Sequence, residues 1–253
     1  MIPYFELNHF SIGPLTIQVW GSLVALGIIV GAWASTRLAK SRGQNQKIIW
    51  DAVFWIIVGA FLFARLVHVF IYEPGYYLLN LSEIITVWHG GFSIIGGFLG
   101  AAWFGLFYLK RKNVDVMAYA DTLIFGLPLG LFLGRLGCFF IHDHPGLVSN
   151  FILSVKFPDQ IARHDHGLYL SLNGLLTFLM FVYLARQKVR TGTYLVVFLI
   201  WYGVVRFGLD FLRAQEGEIV DSRYLSFTPA QYGAVIMVLL GLYLYKKRPR
   251  DYK

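Results

Sequence analysis

The sequence predicts an all-α, polytopic membrane protein with seven transmembrane helices, its N-terminus outside and its C-terminus in the cytoplasm. Three observations carry this expectation. Hydrophobic residues make up 57% of the 253 and charged residues only 14%, whereas a soluble domain averages about 25% charged. Apolar runs near the ~20 residues that cross a bilayer recur along the whole chain. Basic residues collect after every second run. Mean hydropathy is +0.59. A soluble enzyme, a disordered chain and a secreted disulfide scaffold are excluded, the last because Cys138 is the only cysteine.

The expected spans are 15–33, 48–70, 92–108, 116–133, 167–184, 194–211 and 229–245. The first ten residues carry no basic residue, so the charged start of a cleaved signal peptide is not expected and the first span stays. Arg37, Lys40, Arg42 and Lys47 follow the first span, and Lys110, Arg111 and Lys112 the third. Arg186, Lys188 and Arg190 follow the fifth. Lys246, Lys247, Arg248, Arg250 and Lys253 follow the seventh. Fifteen of the 22 basic residues thus fall on one side, which the positive-inside rule makes cytoplasmic. The net charge of +8 is explained by orientation and anionic lipid, and nucleic acid is not expected as a partner. No linker, low-complexity tract or internal repeat divides the chain, so residues 1–253 read as one membrane domain.

Ionisable residues inside spans are costly and serve as functional candidates. Asp51 and Asp121 lie near cytoplasmic helix ends, where a structural role is expected. Arg65 and His68 share a helix face at i, i+3, and function competes evenly with simple pairing. Arg206, Asp210 and Arg213, at i, i+4, i+7, form one stripe on the sixth span. An Asp between two arginines can hold both guanidinium planes. Arg135 follows an apolar run at the start of the longest non-spanning segment. Two arginines reaching one cavity suit a phosphate, which guanidinium matches bidentately.

Glycines crowd the stretch Trp88-His89-Gly90-Gly91-Phe92-Ser93-Ile94-Ile95-Gly96-Gly97 and recur at Gly100. Gly96 and Gly100, four apart, suit close helix contact. Gly90 and Gly91 suit either that or a helix break offering amides to an anion. His142-Asp143-His144 and His164-Asp165-His166 are two similar triplets. Neither has the spacing of a recognised metalloenzyme motif, so no metal and no cofactor are expected.

Four segments in order resemble the prolipoprotein diacylglyceryl transferase family. Gly134, Arg135, Gly137, Phe139 and Gly146 fall on its signature G-R-x-G-N-F-x-N-x-E-x-x-G, with Asp143 at the acidic position. Trp88–Gly97 resembles W-x-G-G-x-S-x-H-G-G, and Tyr202–Asp210 resembles Y-G-x-x-R-x-x-x-E. Arg163, His164, Leu168 and Tyr169 match R-H-P-S-Q-L-Y. The departures are Ile95 for the family histidine, Cys138 and Ile141 for two asparagines, Trp20 for a tyrosine, and aspartate for glutamate at Asp143 and Asp210.

The resemblance implies a multi-pass enzyme of the bacterial cytoplasmic (inner) membrane, with its site facing the outer leaflet. Its reaction moves the diacylglyceryl group of phosphatidylglycerol onto the lipobox cysteine of a preprolipoprotein signal peptide. Arg135 and Arg206 take the phosphate and headgroup, and Asp210 and Asp143 orient them or bind glycerol hydroxyls. With Ile95 unable to act as a base, His142, His144, His164 or His166 is expected to take the thiol proton, with His89 a further candidate. His89, Gly90, Gly91, Ser93, Gly96, Gly97, Tyr169, His164 and His166 are expected at the substrate. Two alternatives stand. One is a relative with the same phospholipid site and another acceptor or reaction. The other is a non-enzymatic lipid-binding or transport protein.

Overall fold

Helix starts account for much of the architecture, because the first amides of a helix have no partner within it. The computed structural model describes residues 1–214 and 223–247. Its long helices are α1 (Val19–Ser41), α2 (Gln46–Val67), α4 (Ile94–Arg111), α5 (Val116–Ile141), α6 (His166–Ala185), α7 (Thr193–Leu209) and α8 (Pro229–Lys247), with a short α3 at Pro74–Leu79. Asn45, Ser93 and Asp165 each receive an amide hydrogen bond at the start of α2, α4 and α6. Asp115 takes Ala118 N–H at 3.0 Å beside the start of α5. Thr228 and Gln231 cap α8 reciprocally: each side-chain oxygen accepts the other's amide, at 3.2 and 3.0 Å.

Helix α7 borrows its cap. Gly192 precedes it with φ +83° and has no side chain to offer. Asp121, wholly buried on α5, accepts Leu195 N–H at 2.9 Å. The acid that the sequence places near its own helix start therefore serves a different helix.

Among the described residues, five helical segments are long and apolar enough to cross a membrane: Val19–Ser41, Gln46–Tyr72, Val116–Ile141, His166–Ala185 and Thr193–Leu212. α4 spends four positions on glycine and ends on Lys110 and Arg111. α8 carries Gln231, three tyrosines and Lys246–Lys247. Two boundaries correct the sequence reading. α1 begins at Val19 because residues 9–18 form a hairpin, β2 (His9–Ile12) against β3 (Leu15–Gln18). α5 runs eight residues past the expected end, so Arg135 lies within a helix and does not open a loop.

The chain is also not purely α. β1 (Ile2–Pro3), β4 (Pro145–Val148), β5 (Val155–Lys156) and β6 (Ala162–Asp165) form a four-stranded sheet in the order β1-β5-β6-β4. Strands of two to four residues leave little periodic trace, which is why a helical pattern conceals them.

The described residues divide into two compact units, Met1–Leu38 with Ala120–Lys253, and Ala39–Tyr119. The larger has a core of Ala34, Leu38, Phe125, Phe181, Tyr194 and Phe198. In the smaller, α2 packs on α4 through Gly96 and Gly100. A Cβ on either would strike the backbone carbonyl of Phe63 or Gly59. Helix contact is thus what this second pair of glycines provides. Asp51 accepts the Tyr108 hydroxyl at 2.9 Å in the same unit.

Asp121→Ala should lower stability by about 1.5–3 kcal/mol, since it strands an amide that now meets a charged acceptor. Thermal unfolding in detergent checks this. Asp115→Ala, which loses an ordinary cap, should cost about 1 kcal/mol.

Candidate active site

Arg135 and Cys138 lie one turn apart at the end of α5, and an Arg135 guanidinium N–H points at Cys138 Sγ at 4.0 Å. α5 stops at Ile141, and His142 takes a left-handed φ of 48°. That turn brings Asp143 and His144 back over Cys138, so that ligand atoms of the three lie within 4.8 Å of one another. Asp143 Oδ1 and His144 Nδ1 are 2.5 Å apart. Both atoms are buried, and neither makes an aligned hydrogen bond among the described residues.

His142 itself is directed elsewhere. Its Nδ1 meets Asp165 Oδ2 at 2.7 Å, and both side chains are 1% exposed. Tyr4 stacks on the ring at 5.0 Å, with Phe5, Phe139 and Phe157 around it. Asp165 Oδ1 accepts Leu168 N–H at 2.9 Å, so one carboxylate joins the end of α5 to the start of α6. Gly167 makes this approach possible: a Cβ there would lie 2.5 Å from Phe139 N.

The second triplet splits in the same way. His164 Nδ1 meets the Tyr169 hydroxyl at 2.6 Å. Burial pushes the His164 imidazole below its usual value, which favours its neutral form. His166 is 2% exposed, and among the described residues neither ring nitrogen has a hydrogen-bond partner. Its backbone N–H donates to His144 O at 3.3 Å, and its ring feels the charges of Arg206, Arg213 and His144.

The stripe on α7 converges on Asp210, which is wholly buried. Arg206 lies 3.0 Å and Arg213 3.9 Å from Asp210 Oδ1. Thr228 donates its hydroxyl to Oδ2. The helical spacing holds only in part: α7 ends at Leu209, a 3₁₀ turn covers Asp210–Leu212, and Arg213 is extended. Gly146 pairs with Arg213 in an antiparallel bridge, which ties β4 to the end of α7. A Cβ on Gly146 would strike Leu212 O. Arg206 feels the positive charge of Arg135 and of Arg213 as well as the negative charge of Asp210.

The smaller unit holds the remaining expected site residues. Arg65, 6% exposed, gives its N–H groups to the carbonyls of Ile84, Glu83, Gly90 and Gly91. This answers the question of its role with a structural one: it organises the segment beyond α2. Gly90 and Gly91 have φ of 84° and 77°, which glycine alone adopts freely. Both carbonyls accept from Arg65, and the Gly90 amide donates to Val87 O at 3.3 Å. His89 is exposed and meets Glu83 at 2.8 Å. The Thr86 hydroxyl and then His89 hold Glu83 below the usual carboxylate range. His68 Nε2 lies 3.8 Å from Glu73. Ser93 caps Gly96 N, and Gly97 lies 3.8 Å, Cβ to atom, from Ala60 O. Ile95 is 55% exposed on the first turn of α4.

Sequence reasoning missed Thr228, Gln231 and the role of Asp165. Thr228-Pro229-Ala230-Gln231 is a capping-box pattern with proline at the first helical position, and it was readable as such. Arg248, Arg250 and Lys253 of the last basic cluster lie outside the described residues.

His142→Ala should cost about 3–5 kcal/mol, because it leaves Asp165 buried without its partner. His144→Ala, about one-third exposed, should cost far less and should act on turnover instead. Comparing the two thermal midpoints in detergent separates a structural histidine from a functional one.

The family profile described as prolipoprotein diacylglyceryl transferase matches residues 8–246. A Staphylococcus xylosus protein named phosphatidylglycerol–prolipoprotein diacylglyceryl transferase is 31% identical over 94% of this chain and 88% of its own length. A protein of the same name from Wolbachia sp. subsp. Drosophila simulans (strain wRi) is 32% identical over 93% and 92%. One from Anaplasma marginale (strain Florida) is 29% identical over 99% and 92%. With the ordered motifs and the gathered arginines, these matches place the chain in the prolipoprotein diacylglyceryl transferase family.

Proposed function

We propose that this protein moves the diacylglyceryl group of phosphatidylglycerol to the lipobox cysteine of a preprolipoprotein signal peptide, with release of glycerol-1-phosphate. The observation that carries the reading is the gathering of Arg135 and Arg206 in one unit, with Arg206 held by a buried Asp210. Charge builds on the departing phosphate as the glyceryl C–O bond breaks, and fixed guanidinium groups stabilise that charge. Asp210 positions Arg206, while Asp143 and Arg135 each lie beside Cys138.

The acceptor thiol has an ordinary pKa near 8.5 and attacks only as thiolate. Ile95 cannot take its proton. His142 is committed to Asp165 and His164 to Tyr169. Thiol activation therefore falls to His144 with Asp143, beside which His166 offers an unpartnered imidazole. Tyr169 and His164 are assigned to substrate contact, as are His89, Gly90, Gly91, Ser93, Gly96 and Gly97 by their motif positions. Within its own unit this stretch spends Gly96 on packing and Ser93 on a cap, which leaves His89 the exposed polar group.

The proposal includes the topology. α4 and α8 join the five apolar segments as spans in the cytoplasmic membrane, with the N-terminus outside. The site then opens to the outer leaflet, where phosphatidylglycerol and the signal peptide arrive along the bilayer. The positions of Lys110, Arg111, Lys246 and Lys247 at the ends of α4 and α8 support this orientation.

One second reading has an observation of its own. Ile95, apolar and exposed where the family has histidine, favours a relative with the same lipid site and another acceptor. Purified protein in detergent, given phosphatidylglycerol and a lipobox peptide, should yield the diacylglyceryl thioether by mass spectrometry. Arg135→Ala and Arg206→Ala should each lower the rate by about 10²–10³-fold, as loss of one oxyanion donor does. Glycerol phosphate released without thioether would favour the other acceptor. Undiminished product in both variants would sink the site assignment.

A further inference from the structure

Cys138, Asp143 and His144 are far apart in chemical type and close in space. Their Sγ, carboxylate oxygen and imidazole nitrogen all lie within 4.8 Å of one another. Around a tetrahedral zinc, with bonds of about 2.0–2.3 Å, ligand atoms sit roughly 3.3–3.8 Å apart, so small side-chain adjustments close the set. The spacing of the two histidine triplets does not reveal this group, because its thiolate comes from the preceding helix. The left-handed turn at His142 folds Asp143 and His144 back onto Cys138.

A second observation points to a ligand. Asp143 Oδ1 and His144 Nδ1 are buried and face each other outside hydrogen-bond alignment. His166, 2% exposed and bonded through its backbone to His144 O, has two buried ring nitrogens without a hydrogen-bond partner among the described residues. Buried polar atoms are normally satisfied. A cluster that leaves several open beside one thiol is built to be completed from outside.

We propose that Cys138, Asp143 and His144 bind a zinc-type divalent metal whose fourth position takes the acceptor's cysteine thiol. Three protein ligands and one open position mark a catalytic rather than a structural site. A thiol that coordinates such an ion loses its proton outright, and that proton passes to solvent. The thiolate sulfur then attacks the glyceryl carbon. The C–O bond breaks, its electron pair stays on the phosphate oxygen, and Arg135 beside Cys138 Sγ holds the developing charge. The thioether product is neutral and a weaker ligand, so it leaves. The metal thus does the work that the histidine replaced by Ile95 would do. The chemistry rests on the transferase reading; the metal site itself does not.

The test uses the full chain in detergent, titrated with Co²⁺. Cys138 is the sole cysteine, so any thiolate-to-cobalt charge-transfer band from the protein alone must come from it. The expected result is one equivalent of Co²⁺ with tetrahedral d–d bands and that charge-transfer band. Cys138→Ser should lose the charge-transfer band, His144→Ala should weaken the d–d bands, and added lipobox peptide should intensify the charge transfer. Chelation should lower thioether formation by about a hundredfold, the scale of a lost proton-transfer catalyst, with recovery on adding Zn²⁺. No charge-transfer band from folded wild-type protein, or full activity after chelation, would overturn the proposal and leave the transferase standing. The cobalt spectrum without any thioether product would support the site and overturn the transferase reading.

Discussion

Asp210 is a carboxylate cut off from solvent, and an unpaired charge at such depth costs several kcal/mol. The larger unit is arranged around meeting that cost. Arg206 comes from one turn back on α7, Arg213 from just beyond the 3₁₀ turn, and Thr228 from the start of α8. Thr228 also closes the reciprocal cap with Gln231. One buried anion therefore fixes where α7 ends, where α8 begins and how Arg206 is aimed. The bridge from Gly146 to Arg213 extends the same constraint to β4, and β4 follows directly on Asp143 and His144.

A second buried carboxylate does the matching work on the other side. Asp165 joins α5 to α6 through His142 and Leu168 N–H, with Gly167 allowing the close approach. The two anchors hold the ends of α5, α6 and α7 in a fixed relation. In the same unit, His166, Asp143 and His144 keep buried polar atoms without a hydrogen bond among the described residues, and Arg206 feels the charge of Arg135. Rigid support around unmet polar groups is how a preorganised site differs from a packed core.

Much of this was readable from residue order, and the remainder failed for identifiable reasons. Hydropathy located the long helices among the described residues, five of which are long and apolar enough to cross a membrane. The end of α5 was placed too early because Gly134, Arg135 and Gly137 interrupt the apolar run, yet the helix continues through them and the chain turns only at His142. The strands were missed because they are too short for alternation to show. Arg206 and Asp210 were legible as an i, i+4 pair. The partners that define them were not, since Thr228 is 18 residues away and belongs to another helix. For Arg65 the sequence leaves function and simple pairing evenly open, because its partners are carbonyls 18 to 26 residues on, which carry no side-chain signal. The two triplets looked alike, but backbone conformation sends His142 to Asp165 and His144 to Cys138.

The central claim is that buried Asp210 aims Arg206 at a phosphate. Phosphatidylglycerol affinity of wild type and Asp210→Asn, compared by native mass spectrometry in detergent with folding checked by thermal midpoint, tests it most directly. Asparagine keeps the size of the side chain and removes the charge that orients the guanidinium. The account predicts folded protein that binds the lipid more weakly by about tenfold or more, in line with loss of one partner from a buried, hydrogen-bonded charge pair. Equal or tighter binding by Asp210→Asn would contradict it, since the arginine would then need no carboxylate to hold it.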